Sequence, residues 1–132
     1  EKDFEATYDL IKNIKFINSF SFIFSPRPGT KASNFKLIDK KISLMRLKKI
    51  QAKLFDHQIS MNKSLENNEI DVLVENKMDG DDKFFGRSEH MTSVIFNGSL
   101  HDVGKVIKVK VNKSNQNTLF GRNMSKFELR VA

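Results

Sequence analysis

Apolar residues change their spacing along this chain, and each spacing predicts a different element. In the first segment they recur every three or four positions: Phe4, Tyr8, Ile11, Ile14 and Ile17. This period is typical of an amphipathic helix, which we place over residues 4–18. Directly afterwards Phe20, Phe22 and Phe24 alternate with other residues, which predicts a strand over residues 20–25 with one aromatic face. One helix and one strand cannot bury both faces of a sheet, so we expect this segment to need partners upstream.

The predicted strand leads into a loop that contains two prolines. Pro26 and Pro28 prevent further sheet pairing and restrict the backbone on either side of Arg27, while Gly29 permits a turn. An arginine held in this way suits a planar anion such as a phosphate or a carboxylate. A solvated arginine in an ordinary exit loop is the alternative.

A helical period returns after the loop and predicts a long connecting helix over residues 38–64. Its apolar positions are Ile38, Ile42, Met45, Leu47, Ile50, Leu54, Met61 and Leu65. Lysines occupy the opposite side, where they form either a solvated face or a stripe that attracts nucleic acid without reading its sequence. The charge is concentrated in this half of the chain, because residues 1–65 carry 13 basic and 6 acidic residues whereas residues 66–132 carry 10 of each.

From Glu66 onward the apolar period is two, which predicts short strands. Ile70, Val72 and Val74 alternate with polar residues, as do Ile107, Val109 and Val111, and turn-forming residues separate these runs. The length and spacing are those of a small antiparallel barrel of the oligonucleotide-binding type. The fold class predicted for the whole chain is therefore α+β.

The segment Lys83–Phe96 is the predicted contact surface of that barrel. Phe84 and Phe85 precede Gly86, which we expect to permit a tight bend, and Arg87 follows. One aromatic ring can enter the core while its neighbour points outward, and an exposed ring beside cations is typical of proteins that bind single-stranded nucleic acid. Burial of both rings, with Gly86 as a bulge and Arg87 paired to Glu89, is the alternative.

Composition limits the chemistry that this chain can perform. Its 132 residues include no cysteine, which excludes disulfides, zinc knuckles and thiolate-bound iron–sulfur clusters within it. Three isolated histidines predict no metal site. The net charge of +7 points toward a polyanionic partner, but 18 of the 23 basic residues are lysine, as AT-biased coding would produce, which discounts the charge as evidence. No apolar run is long enough to span a bilayer. The chain begins at Glu1, and we expect it to be a piece of a longer cytoplasmic protein.

Several separated motifs together resemble one enzyme family. They are Ser25–Thr30 (SPRPGT), Phe85–Glu89 (FGRSE), Val103–Val111 (VGKVIKVKV) and Leu119–Gly121 (LFG). In this order the motifs are similar to the carboxyl-terminal part of the MiaB-type tRNA methylthiotransferases, which are radical-SAM enzymes. The family methylthiolates an isopentenyladenosine beside the tRNA anticodon. The resemblance implies that residues 1–35 end a radical-SAM partial α/β barrel, residues 36–65 connect, and residues 66–132 form a TRAM domain.

The resemblance also implies roles for individual residues. Ser25, Arg27 and Thr30 would lie near the substrate or cofactor, at the mouth of the radical-SAM barrel. Candidate RNA-binding residues of the TRAM domain are Lys83, Phe85, Arg87, Ser88, Lys108, Lys110 and Arg122. No catalytic residue and no metal ligand is predicted in the chain itself. Two departures from the family pattern are Ser88, which replaces a threonine, and Lys31, which replaces a proline.

The family's cofactors are two [4Fe–4S] clusters and S-adenosylmethionine, and cysteines of upstream regions hold the clusters. The chain alone is therefore expected to bind no cofactor and to be inactive. Its expected partners are a tRNA anticodon stem-loop and the upstream domains of the same protein, with no membrane and in a monomer. Two alternatives stay open, namely the tail of a ribosomal-protein methylthiotransferase and a free-standing TRAM module. The first fits less well, because those enzymes usually carry acidic residues at the positions of Arg27 and Pro28.

Overall fold

A computed structural model describes residues 1–80 and 82–124 of the chain. It divides the chain into two compact units, Glu1–Gln58 and Ile59–Ala132. Residues 125–132 of the predicted barrel domain lie outside the described residues. Among those described, no helix has the length and apolar character needed to cross a bilayer.

The first unit begins with helix α1, Lys2–Ile14. The predicted helix over residues 4–18 was too long at its carboxyl end. Lys15 adopts the left-handed conformation with φ of 56°, and its amide donates a hydrogen bond back to the Ile11 carbonyl, which is a common way to end a helix.

The strand predicted over residues 20–25 is not formed. The structure assigns no strand to residues 19–27, and none of the strand pairings among the described residues involves them. A strand exists only when a neighbouring strand accepts and donates its backbone hydrogen bonds, and no such neighbour is present for this segment. The expected consequence is seen at Phe20 and Phe22, whose side chains are 88% and 83% exposed.

A second helix follows the proline loop. A short 3₁₀ helix, Lys31–Asn34, precedes helix α2, Lys40–Ser64. Helix α2 starts two residues later than the sequence predicted because Asp39 caps it: the Asp39 carboxylate accepts hydrogen bonds from the amides of Lys41 (2.8 Å) and Ile42 (3.3 Å). The long connecting helix is otherwise confirmed.

The second unit is a closed five-stranded barrel. Its strands are β1 (Glu69–Lys77), β2 (Lys83–Ser88), β3 (Ser93–Asn97), β4 (Val106–Ser114) and β5 (Thr118–Asn123), arranged in the order β1-β2-β3-β5-β4. Four pairs are antiparallel, whereas β3 and β5 are parallel. The predicted small barrel is thus confirmed, but it is mixed rather than purely antiparallel. After β3 the chain passes through a 3₁₀ helix, Leu100–Asp102, and then strand β4, and β5 finally pairs with β3 in parallel.

Alternate residues of every strand fill the barrel. Eight side chains are essentially fully buried: Phe84, Phe96, Leu119, Val72, Val74, Val94, Val109 and Val111. Burying a side chain of this size stabilises the fold by about 1.5–3 kcal/mol. Because inward and outward positions alternate, the buried set also fixes which residues face outward from each strand.

Candidate nucleic-acid interface

The outward side of β2, β3 and β5 forms one continuous surface without acidic residues, which we call the β2-β3-β5 face. Its members are Lys83, Phe85 and Arg87 on β2, Ser93, Ile95 and Asn97 on β3, and Thr118, Phe120 and Arg122 on β5. The strand register aligns them in three rows. The middle row, Phe85–Ile95–Phe120, is apolar and partly exposed, so the face combines aromatic surface with flanking cations.

Arg87 is oriented by three groups around it. Its guanidinium lies over the Phe85 ring at 5.1 Å from the ring centre, and Nη1 donates a hydrogen bond to the Met91 carbonyl at 3.2 Å. Its Nε lies 3.6 Å from a carboxylate oxygen of Glu75. The alternative of a pair with Glu89 is therefore not what forms. The Arg87 side chain is 36% exposed, so it is held in place while remaining accessible from the solvent.

Cations also form a row along one edge of the face. The register pairs Lys110 with Arg122, Arg122 with Asn97, and Asn97 with Lys83. Residues paired in register point to the same side of a sheet, so three positive charges lie on one line across four strands. Phosphates of a nucleic acid backbone are the natural ligands of such a row.

Strand β1 provides the opposite charge. Glu69, Asp71 and Glu75 occupy its outward positions, next to β4 on one side and β2 on the other. Lys108 Nζ lies 2.8 Å from Asp71 Oδ1. This hydrogen bond raises the pKa of Lys108 and commits its charge to Asp71. Of the predicted RNA-binding residues, Lys108 therefore lies outside the β2-β3-β5 face and is paired with a carboxylate.

Ser88 is placed differently from its predicted role. Its side chain is 5% exposed, and its hydroxyl accepts a hydrogen bond from the Thr92 amide at 3.2 Å, which closes the turn between β2 and β3. Gly86 does not form the expected bend with positive φ either. It lies within β2, where an added Cβ would lie 2.5 Å from the Leu73 carbonyl oxygen. Glycine is needed there for close approach of two backbones.

The candidate residues of the first unit lie on its surface. Ser25, Arg27 and Thr30 are all exposed. Residues Arg27–Thr30 form a turn in which Gly29 has a φ of 82°, as expected for a turn with Pro28 and Gly29 at its centre. The Thr30 hydroxyl donates a hydrogen bond to the Arg27 carbonyl at 2.8 Å. The Thr30 side chain thus stabilises the turn that presents Arg27.

Sequence reasoning missed three residues of the interface. Phe120 and Ile95 complete the apolar row, and Lys113 pairs in register with Phe120 and extends that row onto β4. A signal was present, because the triplet Phe-Gly-Arg occurs both at residues 85–87 and at residues 120–122. Among the described residues, no cluster of histidine, cysteine, aspartate or glutamate could hold a metal ion.

Comparisons with known proteins identify the family of this chain. Residues 63–123 match the family model of the TRAM domain. The chain is 55% identical over 132 residues to a tRNA-2-methylthio-N(6)-dimethylallyladenosine synthase of Pelagibacter ubique, and it spans 30% of that protein. Proteins of the same name from Clostridium novyi and Zymomonas mobilis are 36% and 33% identical over 92% and 100% of the chain, which spans 27% and 30% of their lengths. The chain therefore belongs to the tRNA-2-methylthio-N(6)-dimethylallyladenosine synthase family, as the counterpart of its carboxyl-terminal part with the TRAM domain.

Proposed function

We propose that this chain is the tRNA-binding part of a cytoplasmic methylthiotransferase that acts on isopentenyladenosine next to the anticodon. The observation that carries the proposal is the similarity, over the whole chain in the Pelagibacter ubique relative, to synthases named for 2-methylthio-N(6)-dimethylallyladenosine in tRNA. Similarity of the barrel alone would fit any RNA-binding protein, but here residues 1–62 match as well. This favours the enzyme over a free-standing module.

The barrel supplies the chemistry that tRNA binding requires. Arg87, Arg122 and Lys83 surround the apolar row on three strands that carry no carboxylate, while the acidic residues of the described strands all lie on β1, where Glu75 contacts Arg87. Cations attract the phosphates of any RNA, and partly exposed aromatic rings favour RNA in which bases are unstacked. An anticodon stem-loop offers both features, since its stem carries phosphates and its loop carries unpaired bases.

The reaction itself needs groups that this chain does not supply. Iron–sulfur clusters are bound by cysteine thiolates, and the chain has no cysteine, so its residues do not fit a cluster. We propose that the rest of the protein holds the two [4Fe–4S] clusters and S-adenosylmethionine, and that the complete enzyme is a monomer. The exposed rings of Phe20, Phe22 and Phe24 would pack against that part, with Ser25, Arg27 and Thr30 near the substrate.

A chimeric enzyme tests the proposal. The counterpart of this chain in the Pelagibacter ubique relative is replaced by residues 1–132, and the chimera is expressed in bacteria that lack their own methylthiotransferase. Mass spectrometry of tRNA nucleosides is expected to show restored methylthio-isopentenyladenosine. A folded chimera that leaves the tRNA unmodified would contradict the proposal. Methylthiolation of a ribosomal protein, measured by mass spectrometry in the same cells, would then favour the ribosomal-protein alternative.

Binding of the chain alone gives a second test. In a fluorescence anisotropy competition, an anticodon stem-loop is expected to displace labelled tRNA from residues 1–132 at lower concentration than an acceptor-stem hairpin of equal length. Equal competition by the two hairpins would contradict the assignment of the anticodon arm. The double variant Lys83→Glu, Arg122→Glu is expected to lose tRNA affinity, whereas the control Lys40→Glu, Lys41→Glu on helix α2 is expected to retain it.

A further inference from the structure

The barrel contains an internal two-fold relation that its register makes visible. Hairpin β1–β2 pairs Val72 with Ser88 and Val74 with Gly86, and the last two strands pair Val109 with Asn123 and Val111 with Gly121. In each hairpin the register shifts by one residue directly after the second of these valines. Strand β1 therefore corresponds to β4, and β2 corresponds to β5.

The remaining strand pairs obey the same relation. Ile95 of β3 pairs with Phe85 on one side and with Phe120 on the other, so the two-fold axis passes through Ile95. The two-fold rotation maps β2 onto β5 and maps β3 onto itself with its direction reversed. This explains why β3 is antiparallel to β2 and parallel to β5. On the opposite side of the barrel the axis passes through the paired residues Asp71 and Lys108.

The two glycines show that the backbones of the two hairpins correspond closely. A Cβ added at Gly86 would lie 2.5 Å from the carbonyl oxygen of Leu73 and 2.6 Å from a methyl group of Val72. At Gly121 the corresponding distances are 2.5 Å to the Lys110 carbonyl oxygen and 2.6 Å to a methyl group of Val109. Each glycine lets two backbones approach closely beside a bulge, and each is flanked by an outward phenylalanine and an outward arginine.

The β2-β3-β5 face consequently carries the same triplet twice. Phe85 and Phe120 lie in the middle row, two strands apart, which is about 10 Å at the usual spacing of strands. Arg87 and Arg122 lie in opposite outer rows, so they occupy diagonal corners of the face. The described strands β2, β3 and β5 place no carboxylate between them.

We infer that Phe85 and Phe120 are two equivalent base-stacking positions, each with its own arginine for an adjacent phosphate, so that the face binds two unpaired nucleotides of an RNA loop. This inference rests on the proposed RNA-binding function, and it adds that the bound RNA is unpaired and that two of its bases are stacked on the face. Two rings separated by about 10 Å cannot both stack on neighbouring bases that remain stacked on each other. Bases in a duplex are not free to separate in this way, so unpaired nucleotides are required.

The inference is tested with conservative variants of the full chain. Phe85→Leu and Phe120→Leu keep an apolar side chain but remove the aromatic ring, and Phe85→Trp and Phe120→Trp keep a ring. The probe is a fluorescently labelled anticodon stem-loop in an anisotropy titration. Each leucine variant is expected to weaken binding by about 5- to 150-fold, and each tryptophan variant to retain it. Phe35→Leu, at an exposed ring of the first unit, is the matched control and is expected to have no effect.

Each other outcome overturns a defined statement. Unchanged affinity in both leucine variants, with salt-dependent binding by the wild type, would overturn the stacking inference and leave the proposed function standing. A loss confined to one position would overturn the equivalence of the two positions. A fully paired RNA of the same length that binds as tightly as the stem-loop would overturn the requirement for unpaired nucleotides. Absence of RNA binding by the wild type would overturn both proposals.

Folding of the variants is controlled independently. Far-ultraviolet circular dichroism and hydrogen exchange of β1 and β4 report whether the barrel is intact. Should a leucine variant unfold, the tryptophan variants decide: a base analogue such as 2-aminopurine in the loop is expected to quench the new tryptophan fluorescence at both positions. The chain has no tryptophan of its own, so this signal reports the introduced ring alone. Quenching at neither position would overturn the inference.

Discussion

Replacing either strand glycine by alanine should destabilise the barrel by a predictable amount. In an unconstrained strand, alanine is more favourable than glycine by roughly 0.5–1 kcal/mol, because it loses less backbone entropy on folding. At Gly86, however, the new Cβ would lie 2.5 Å from a backbone oxygen and 2.6 Å from a buried valine methyl. Neither neighbour is the end of a flexible side chain, so the strands must separate, and overpacking of this kind costs about 1–3 kcal/mol.

Hydrogen exchange is the suitable assay because the chain has two units and a global unfolding curve would mix them. Amides of β1 and β4 report the barrel alone. A loss of about 1–3 kcal/mol makes exchange by barrel opening about 5- to 150-fold faster. Ser93→Ala, at an outward position of β3, is the control and is expected to change stability by less than about 0.5 kcal/mol. Unchanged or slower exchange in Gly86→Ala would refute the close approach of β1 and β2.

The same experiment at Gly121 tests the two-fold relation. Its added Cβ meets a carbonyl oxygen and a valine methyl at the same distances as at Gly86. Gly121→Ala is therefore expected to accelerate exchange as much as Gly86→Ala. A large effect at one glycine and none at the other would show that the hairpins are not equivalent.

Three further predictions concern single side chains of the barrel unit. Asn62 is buried and donates hydrogen bonds of 2.9 Å to two carbonyls of the β4–β5 turn. Asn62→Ala should therefore destabilise the barrel by about 1–3 kcal/mol and accelerate hydrogen exchange in it. Lys63→Ala, at the exposed neighbouring residue, should leave the exchange rates unchanged. Hydrogen bonds from the hydroxyl and amide of Ser114 lower the pKa of Glu66. The stability of the wild type is therefore expected to fall relative to that of Glu66→Gln as acid protonates this carboxylate. An equal loss of stability in the two proteins at low pH would contradict this. Lys108→Ala should leave RNA affinity within about twofold in a titration, because Lys108 lies opposite Asp71 at the β4–β1 pairing, away from the β2-β3-β5 face.

The sign of the Glu66 prediction follows from where the proton binds. A carboxylate whose pKa is lower in the folded state than in the unfolded state binds protons more readily after unfolding. Its contribution is therefore fully present above the unfolded pKa and is lost as the pH falls through the folded pKa. Chemical denaturation of the wild type and Glu66→Gln over the acid range measures the difference.

Much of the barrel could be predicted because alternation decides which residues are buried. The prediction that one of the two adjacent rings enters the core while the other points outward is confirmed, since Phe84 is 1% exposed and Phe85 is partly exposed. The parallel pairing of β3 with β5 could not be predicted, because strand order depends on long-range pairing and alternation carries no information about neighbours. The strand over residues 20–25 failed for a related reason, since its sequence has the correct period but its hydrogen-bonding partner is missing.

The candidate site was predicted in part for the same physical reasons. The strand pattern and the Phe-Gly-Arg triplet indicated Phe85 and Arg87, and the structure places both on the outer face. Lys108 also points outward from its strand, but it lies opposite Asp71, pairs with that carboxylate and is outside the β2-β3-β5 face. Ser88 lies on the buried side of β2, where its hydroxyl accepts a backbone hydrogen bond, and its role in RNA binding stays a prediction.

The central claim is that RNA binds to the cations of the β2-β3-β5 face and of the adjoining β4 residues Lys110 and Lys113. Five phosphate contacts, by Lys83, Arg87, Lys110, Lys113 and Arg122, give a slope of about −3.5 for the logarithm of the binding constant against the logarithm of salt concentration. The most direct measurement is the affinity of residues 1–132 for tRNA between about 50 and 200 mM salt, where this slope means a loss of roughly 130-fold. The double variant Lys83→Ala, Arg122→Ala is predicted to reduce the slope by about 1.4. A slope near zero in the wild type, or an unchanged slope in the double variant, would contradict the account.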